Sequence, residues 1–430
     1  MSILIQRKAF TRLSLLAATA LTSGIAHAQA ADPVAELSQQ VEALRADQQQ
    51  SAKRIADLEA ALARANAQPV PSTAVAAAPP AAPAPSFASA PSRLQINGDV
   101  RVRYESNFGD KDARDRDRGV LRARLRANYA INNWLTVGGQ LSTGDPDDPN
   151  SADITLGNFD DDLQISLDQA WMRATFGNLQ IHAGKMPQPF ARTELVWDGD
   201  VSPQGLSASY RVPLDGGALV KATGLYFLVD ESVAGPNSDM IGGQLSIETD
   251  PHAPLRAELA VGYYDYSLRS MAGGDVGDFR SNVIVNGRYL SDFDLFDVIG
   301  AVTWNGLGER WPIRLTGDYV KNFGAAPGIG DQGFGVDLLA GRIVKPGDWR
   351  IGYGYAEAGT DAVLAAFSQD NTNIGTNYLQ HTLSVDYVLV PNLILNATYY
   401  HYRPKDASQA GLNDPRDWLD RLRLNLLANF

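Results

Sequence analysis

From Arg93 to the C-terminus the chain alternates between apolar and polar residues. In LQINGDVRVRYE, Leu94, Ile96, Val100, Val102 and Tyr104 fall on one face of an extended strand, and Gln95, Asn97, Asp99, Arg101, Arg103 and Glu105 on the other. VLRARLRANYAI sets Leu121, Ala123, Leu125, Ala127, Tyr129 and Ile131 against Arg122, Arg124, Arg126 and Asn128. The same period runs through the final LRLNLLANF. There Leu422, Leu424, Leu426, Ala428 and Phe430 oppose Arg423, Asn425, Leu427 and Asn429. Tyr and Trp gather near the ends of such runs (Tyr104, Tyr129, Trp134, Tyr210, Tyr263, Tyr264, Tyr399, Tyr400), as in the aromatic girdle of a membrane barrel.

Connections between runs alternate in length. INNW, FGNL, KPGDW and LVPNL are tight, whereas SNFGDKDARDRDRG, STGDPDDPNSADITLGNFDDD, AEAGTDAVLAAFSQDNTNIGTN and RPKDASQAGLNDPRD are long and polar. Short turns at one end and long loops at the other predict an all-β transmembrane barrel over 93–430. Roughly seventeen runs can be marked, and a barrel with both ends on one side needs an even number, so sixteen antiparallel strands are expected, with eighteen the alternative. DLFDVIGAVTWNGLGERWPIRL resists assignment to a single phase. A soluble sandwich would need a second domain to use so many strands, and a solenoid would need a fixed repeat that is absent. On the barrel reading, the last strand closes the wall with its apolar face in lipid and Phe430 on the girdle.

The N-terminal residues follow other periods. Arg7, Lys8 and Arg12 precede an apolar stretch to about Ile25 and then AHAQA, which reads as an export signal over 1–30. In 31–68, Val34, Leu37, Val41, Leu44, Gln48, Ser51, Ile55, Leu58, Leu62 and Ala65 recur in steps of three and four, predicting a coiled-coil helix with a polar middle layer. Two strands and three are both compatible with it. Residues 69–92 are an uncharged Ala/Pro-rich linker, able to reach about 70 Å if extended. The order is signal, periplasmic coil, linker, barrel.

Composition narrows the chemistry. There is no cysteine, so a large exported fold must rest on another source of stability, such as the hydrogen bonding of a closed sheet. The formal net charge of −12 argues against nucleic acid as a partner. Against that background the first two strands stand out. If the apolar faces meet lipid, Arg101, Arg103, Arg122, Arg124 and Arg126 point into the bore and form a positive wall, and wall charge sets ion selectivity. Loop 144–162 supplies Asp145, Asp147, Asp148, Asp153, Asp160, Asp161 and Asp162, expected to face that wall across a constriction. The plainer alternative is that the arginines pair with Asp99, Glu105 and nearby loop acids to knit the hairpin.

GKMPQPFARTELVWDGDVSPQG (184–205) is a second candidate for an inward loop, because Pro187, Pro189 and Pro203 forbid regular ladder pairing. Lys185 and Arg192 would add positive charge to the bore. Trp197 and Asp198 fit a structural role better than ligand binding.

Several stretches resemble the Gram-negative "putative porin" family, related to the phosphate-selective porin group: SLDQAWMRATFGNLQIHAGKMPQPF, TELVWDGDVSPQGLSASY, PIRLTGDYVKN, KPGDWRIGYGYAEAGTDAVLAAFSQD and the terminal Phe. VWDGDVSPQG and KPGDW are the most specific, and the order of regions is also similar. The resemblance implies a passive outer-membrane channel, homotrimeric through barrel and coil, and names no solute. The chain has arginines on two strands but few lysines in its loops, unlike a phosphate-selective member. Phe430 resembles the terminal aromatic signal read by the barrel-assembly machinery.

The expected partners are outer-membrane lipid, that machinery, and peptidoglycan or another periplasmic partner for the coil. No cofactor, metal or catalytic residue is expected, and the protein is not expected to be an enzyme. His182, His252, His381 and His401 are far apart in sequence and read as girdle or turn residues. No Ser-centred elbow, metal-ligand spacing or phosphate loop occurs. The competing functions are an envelope tether or adhesin built around the coil, and a barrel enzyme.

Overall fold

The computed structural model describes residues 93–109, 115–157, 159, 162–233, 235–269, 281–409 and 417–430. The expected signal, coiled coil and linker lie outside the described residues.

Sixteen antiparallel strands form the wall. They are β1 (Leu94–Phe108), β2 (Arg116–Ala130), β3 (Leu135–Thr143), β4 (Ile165–Phe176), β5 (Leu179–Lys185), β6 (Gln204–Pro213), β7 (Leu219–Asp230) and β8 (Ser238–Glu248). The second half comprises β9 (Leu255–Ser267), β10 (Phe293–Trp304), β11 (Ile313–Asn322), β12 (Gln332–Gly341), β13 (Trp349–Ala358), β14 (Tyr378–Val390), β15 (Leu393–Pro404) and β16 (Leu419–Asn429). Each strand pairs with its sequence neighbours, and β16 returns to β1, from Asp99↔Asn429 to Phe108↔Asp420. The ring is closed, so no wall edge is left with unpaired backbone groups, which is what a bilayer demands. The stretch that resisted phasing divides into β10 and β11 around the turn 305–312. A short strand, Ile154–Leu156, continues the ladder beside Gly119–Leu121 of β2 where β3 has ended, and adds no further wall position.

Alternation sorts the two faces. In β10, Phe293, Leu295, Asp297, Ile299, Ala301 and Thr303 are buried inside, while Val302 and Trp304 are exposed on the outer wall. In β16, Leu422, Leu424 and Leu426 share the outer face, opposite Ser106, Tyr104 and Val102 of β1, as the sequence predicts. Aromatic pairs ring the outer wall, including Trp134 on Phe176 (5.6 Å) and Trp349 on Tyr387 (4.5 Å). Two of the expected girdle tyrosines do not belong to it. Tyr264 and Tyr400 are buried inside, because neighbours in a strand point to opposite faces and Tyr263 and Tyr399 already occupy the outer one.

Connection lengths follow the expected asymmetry, with one correction. TDAVLAAFSQDNTNIGT, within 359–377, is not a solvated outer loop. Residues from Gly359 to Gln369 are all buried, because the segment folds into the barrel.

The β1–β16 seam ends in a close fit. Gly98 and Phe430 exchange backbone hydrogen bonds (2.9 and 3.0 Å), and the Phe430 ring lies over Gly98. A Cβ at position 98 would sit 2.6 Å from that ring and 2.4 Å from the Arg124 carbonyl oxygen. Gly98→Val is therefore expected to loosen the seam by about 1–3 kcal/mol, the usual scale of overpacking. A lower unfolding temperature of the detergent-solubilised barrel checks this, and an unchanged one refutes it.

Candidate functional site

The site is the bore. A sixteen-stranded barrel is wide enough for an aqueous channel, so its function is set by what fills or lines it. Among the described residues, two inward loops cross it. The first, residues 186–203, leaves β5 and packs on the far wall. Gln244 of β8 holds the Ala191 backbone at both ends (2.8 Å each), and Thr193 hydrogen-bonds Asp318 of β11. Trp197, 0% exposed, meets Tyr264 of β9 edge-on at 5.6 Å.

The second inward loop, residues 359–377, spans the bore. Phe367 stacks on Trp197 (6.0 Å) and contacts Phe227 of β7 (5.3 Å). Four residues later, Asn371 accepts from Arg423 of β16 (3.0 Å) and from Tyr400 of β15 (3.3 Å). Strands β7 and β15 are eight positions apart in a ring of sixteen, hence diametrically opposed. The loops hold each other: Asp198 N–H donates to Phe367 O (2.8 Å) and Gln369 N–H to Glu194 O (3.1 Å). Around them Phe190, Val196, Val201, Met240, Phe293, Leu364 and Tyr378 form an apolar core inside the barrel. That core fills the β7–β14 side, and cavities remain beside β2–β4.

Along that remaining wall stand the arginines. Arg122 and Arg124 reach Asp99 (3.0 and 2.9 Å), Arg126 reaches it at 3.4 Å, and Arg124 also grips Asp200 of the first inward loop (2.6 Å). Arg101 and Arg103 both hold Asp153, the latter at 2.6 Å. Glu105 takes Arg118 (2.6 Å) and Arg423 (2.7 Å). The row of arginines extends onto the closing strand through Arg421 and Arg423. It is also laced by carboxylates, so the plainer expectation of hairpin pairing with Asp99 and Glu105 is realised on the same face.

The acidic loop lies differently from the expectation of an opposed cluster. Asp153 closes directly on the arginines, Asp145, Asp147 and Asp162 are exposed, and Asp148 lines a cavity of about 120 Å³ with Asp145, Asp168, Lys185 and Asp200. Asp160 and Asp161 lie outside the described residues. Other carboxylates are buried on the far side: Asp297 of β10 near Tyr264 (3.4 Å), Asp318 of β11 with Thr193, and Asp198 on the first inward loop. Burial pushes the Asp198 carboxyl well above its usual range, reinforced by Glu194 and Asp370. Arg192 turns back to Glu194 (3.2 Å) and the Trp197 carbonyl (3.1 Å). Trp197 and Asp198 are enclosed in the loop core.

Asp153 behaves oppositely to Asp198. Burial works to raise its carboxyl, but the Arg103 and Arg101 guanidinium groups outweigh burial and hold it below the usual range. A depressed folded-state value means that the contact stabilises the loop above the ordinary aspartate range and is lost as pH falls through the lowered value. Protease nicking of 144–164 is therefore expected to stay flat from neutral pH down to about pH 4 and to rise only below it. Asp153→Asn should be nicked across the whole range. Loop release at pH 5–6 in the unmodified protein would contradict the contact.

His182 shares the inner face with Trp171 (5.6 Å), so it is neither a girdle nor a turn residue. His381 and His401 become ladder partners on the outer wall, where Trp418 stacks on His401 at 4.1 Å. Among the described residues no group of three His, Asp or Glu is placed to hold a metal ion. Sequence reasoning missed Asp200, Arg421 and the second inward loop. The signals were present: RLRL at 421–424 repeats the alternation of β2, and AVLAAF at 362–367 is an apolar run inside an apparently polar loop.

A closed barrel with an apolar outer wall, loops folded into its bore and charged side chains on its inner face is the architecture of an outer-membrane channel. Residues 110–273 match the model of a family described as putative porin, in agreement with the resemblance seen in the sequence. Pseudomonas putida OprB is similar in fold, with a TM-score of 0.55 at 14% identity over 79% of this chain and 94% of that one. An anion-selective porin from Comamonas acidovorans aligns at a TM-score of 0.46 and 15% identity, over 78% of this chain and 99% of that one. No curated protein matches the sequence. The family match over 110–273 and the barrel fold both support an outer-membrane porin.

Proposed function

We propose that the protein is a non-enzymatic, anion-preferring porin of the Gram-negative outer membrane, passing small hydrophilic solutes by diffusion. The observation that carries this reading is the arginine-lined wall of β1, β2 and β16, against which the two inward loops press the remaining bore. Overall charge is negative, but charges beyond about 8–10 Å are screened by salt, so the local wall governs an ion in the constriction. Asp99, Glu105, Asp153 and Asp200 fix the guanidinium groups in place without matching them in number: Arg101, Arg103, Arg118, Arg122, Arg124, Arg126, Arg421 and Arg423 face the same side.

The family match and the barrel support the membrane location. Export through a signal at 1–30, recognition of Phe430 by the barrel-assembly machinery, a homotrimer through barrel and coil, and attachment of the coil to peptidoglycan or a periplasmic partner complete the proposal. The tether and barrel-enzyme readings rank below it.

Purified protein in a planar bilayer under a KCl gradient tests it. Current steps in groups of three with an anionic reversal potential are expected. A cationic reversal potential overturns the selectivity, and the absence of current from a folded barrel overturns the channel.

A further inference from the structure

We infer that the cavity between the β2–β4 wall and the first inward loop is a binding subsite for a small carboxylate that also carries hydroxyl groups. The inference rests on the anion-conducting reading of the same bore and gives it a solute class.

The cavity measures about 360 Å³, within the range of small-molecule sites. Its charge comes from Arg124, Arg126 and Arg192, against Asp200 alone. Arg124 is committed to Asp99 and Asp200; Arg126 touches Asp99 only at 3.4 Å and Arg192 pairs with the half-exposed Glu194 at 3.2 Å, and their side chains keep 34% and 31% of their surface exposed. One carboxylate is what that excess accommodates, and a guanidinium fork suits its two oxygens.

The neutral lining is more telling. Both ends of the Gln188 amide are buried without a hydrogen-bond partner among the described residues, and so is the Gln140 side-chain oxygen. Buried polar groups are nearly always paired, and each orphan costs about 1–3 kcal/mol, so such groups mark a place built for something else to bind. Pro187 and Pro189 flank Gln188 and restrict its backbone, holding the amide in position.

Amides that offer both a donor and an acceptor match hydroxyl groups, which do the same. Chloride or acetate would leave the Gln188 oxygen unpaired, and phosphate, whose hydroxyl could donate to it, has no carbon skeleton to rest on Trp171. Trp171 supplies an apolar wall for the carbon skeleton. It lies flat because position 138 is glycine, where a Cβ would come 2.3 Å from the indole. This cavity and the one lined by Asp145, Asp148 and Lys185 share Gln140, Asp200 and Val201, so the subsite lies on the path from the long-loop side toward the short-turn end.

The test measures block of the KCl current in planar bilayers by sodium gluconate, acetate, phosphate and neutral glucose. Gluconate is expected to interrupt the current saturably at concentrations where the other three do not. Gln188→Leu should weaken that block about tenfold, the scale of a lost hydrogen-bond pair. Arg126→Gln, checked for folding by its heat-shifted mobility on gels, should weaken it as well. Equal block by gluconate, acetate and phosphate, or full gluconate block in Gln188→Leu, overturns the subsite and leaves the anion channel standing. A cationic reversal potential of the unmodified protein overturns the channel reading itself, and the subsite with it.

Discussion

Replacing both Asn282 and Asp361 by alanine is expected to widen the channel and raise its single-channel conductance about twofold or more, toward that of an unobstructed sixteen-stranded bore. The two residues tie down the second inward loop where it leaves β13. The Asp361 carboxylate accepts from Asn282 (3.1 Å), the Val283 N–H (3.0 Å) and Ser291 (2.6 Å). The Asn282 amide also donates to the carbonyls of Thr360 (2.9 Å) and Val363 (3.0 Å), and its oxygen accepts from the Ala365 N–H (2.7 Å). Asn282, Ser291 and Asp361 are buried, so each broken pair among them leaves an orphaned group at about 1–3 kcal/mol. Losing several together should exceed what holds one loop across the bore. The wall is untouched, because its ladder bonds run strand to strand, and heat-shifted mobility on gels should stay normal. A folded double variant with unaltered conductance would show that the loop does not limit the current.

The second large effect is on sign rather than size. Exchanging Arg122, Arg124 and Arg126 for glutamine should carry the reversal potential across zero, from anionic to cationic. At 4 Å in water a unit charge is worth about 1 kcal/mol, and a permeating ion sees each guanidinium at somewhat greater distance. Three removals give on the order of a tenfold change in the permeability ratio. The change is reinforced because Asp99 loses all three of its arginine partners, and Asp200 loses Arg124 at 2.6 Å and Arg122 at 3.8 Å, leaving both facing the bore. Unchanged reversal potentials in a folded triple variant would remove the arginine wall as the selectivity element. That result and the loop result are independent, since the Asn282–Asp361 network touches none of these arginines.

The wall was legible in the sequence for a simple reason. A strand has a period of two, and in a membrane barrel one face must be apolar, so Leu94 to Tyr104 and Leu422 to Phe430 declare their orientation residue by residue. The Asp99 cluster was legible by the same logic, since hairpin pairing places Asp99 beside Arg124. Loops have no such period. Asp200 meets Arg124 across 76 positions of chain, and nothing local to either residue announces the contact. AVLAAF hid for a different reason: a strand's apolar face is read as lipid-facing, but here strand residues such as Phe293 and Leu295 also turn inward, and the second inward loop packs on the core they help enclose. Adjacent tyrosines at 263–264 and 399–400 misled for want of one geometric rule, that only one of each pair can face outward.

The anchorage of the second inward loop on Arg421 and Arg423 also fixes an order of events. Those arginines sit on the final strand, and they take their places only when β16 has paired with β1. Until that moment Asn371 has only Tyr400 of β15 to hold it on that wall. Maturation therefore has a built-in sequence, with the cylinder sealed first and its interior narrowed afterwards. A barrel stalled before sealing would leak, which makes permeability itself a reporter of incomplete insertion.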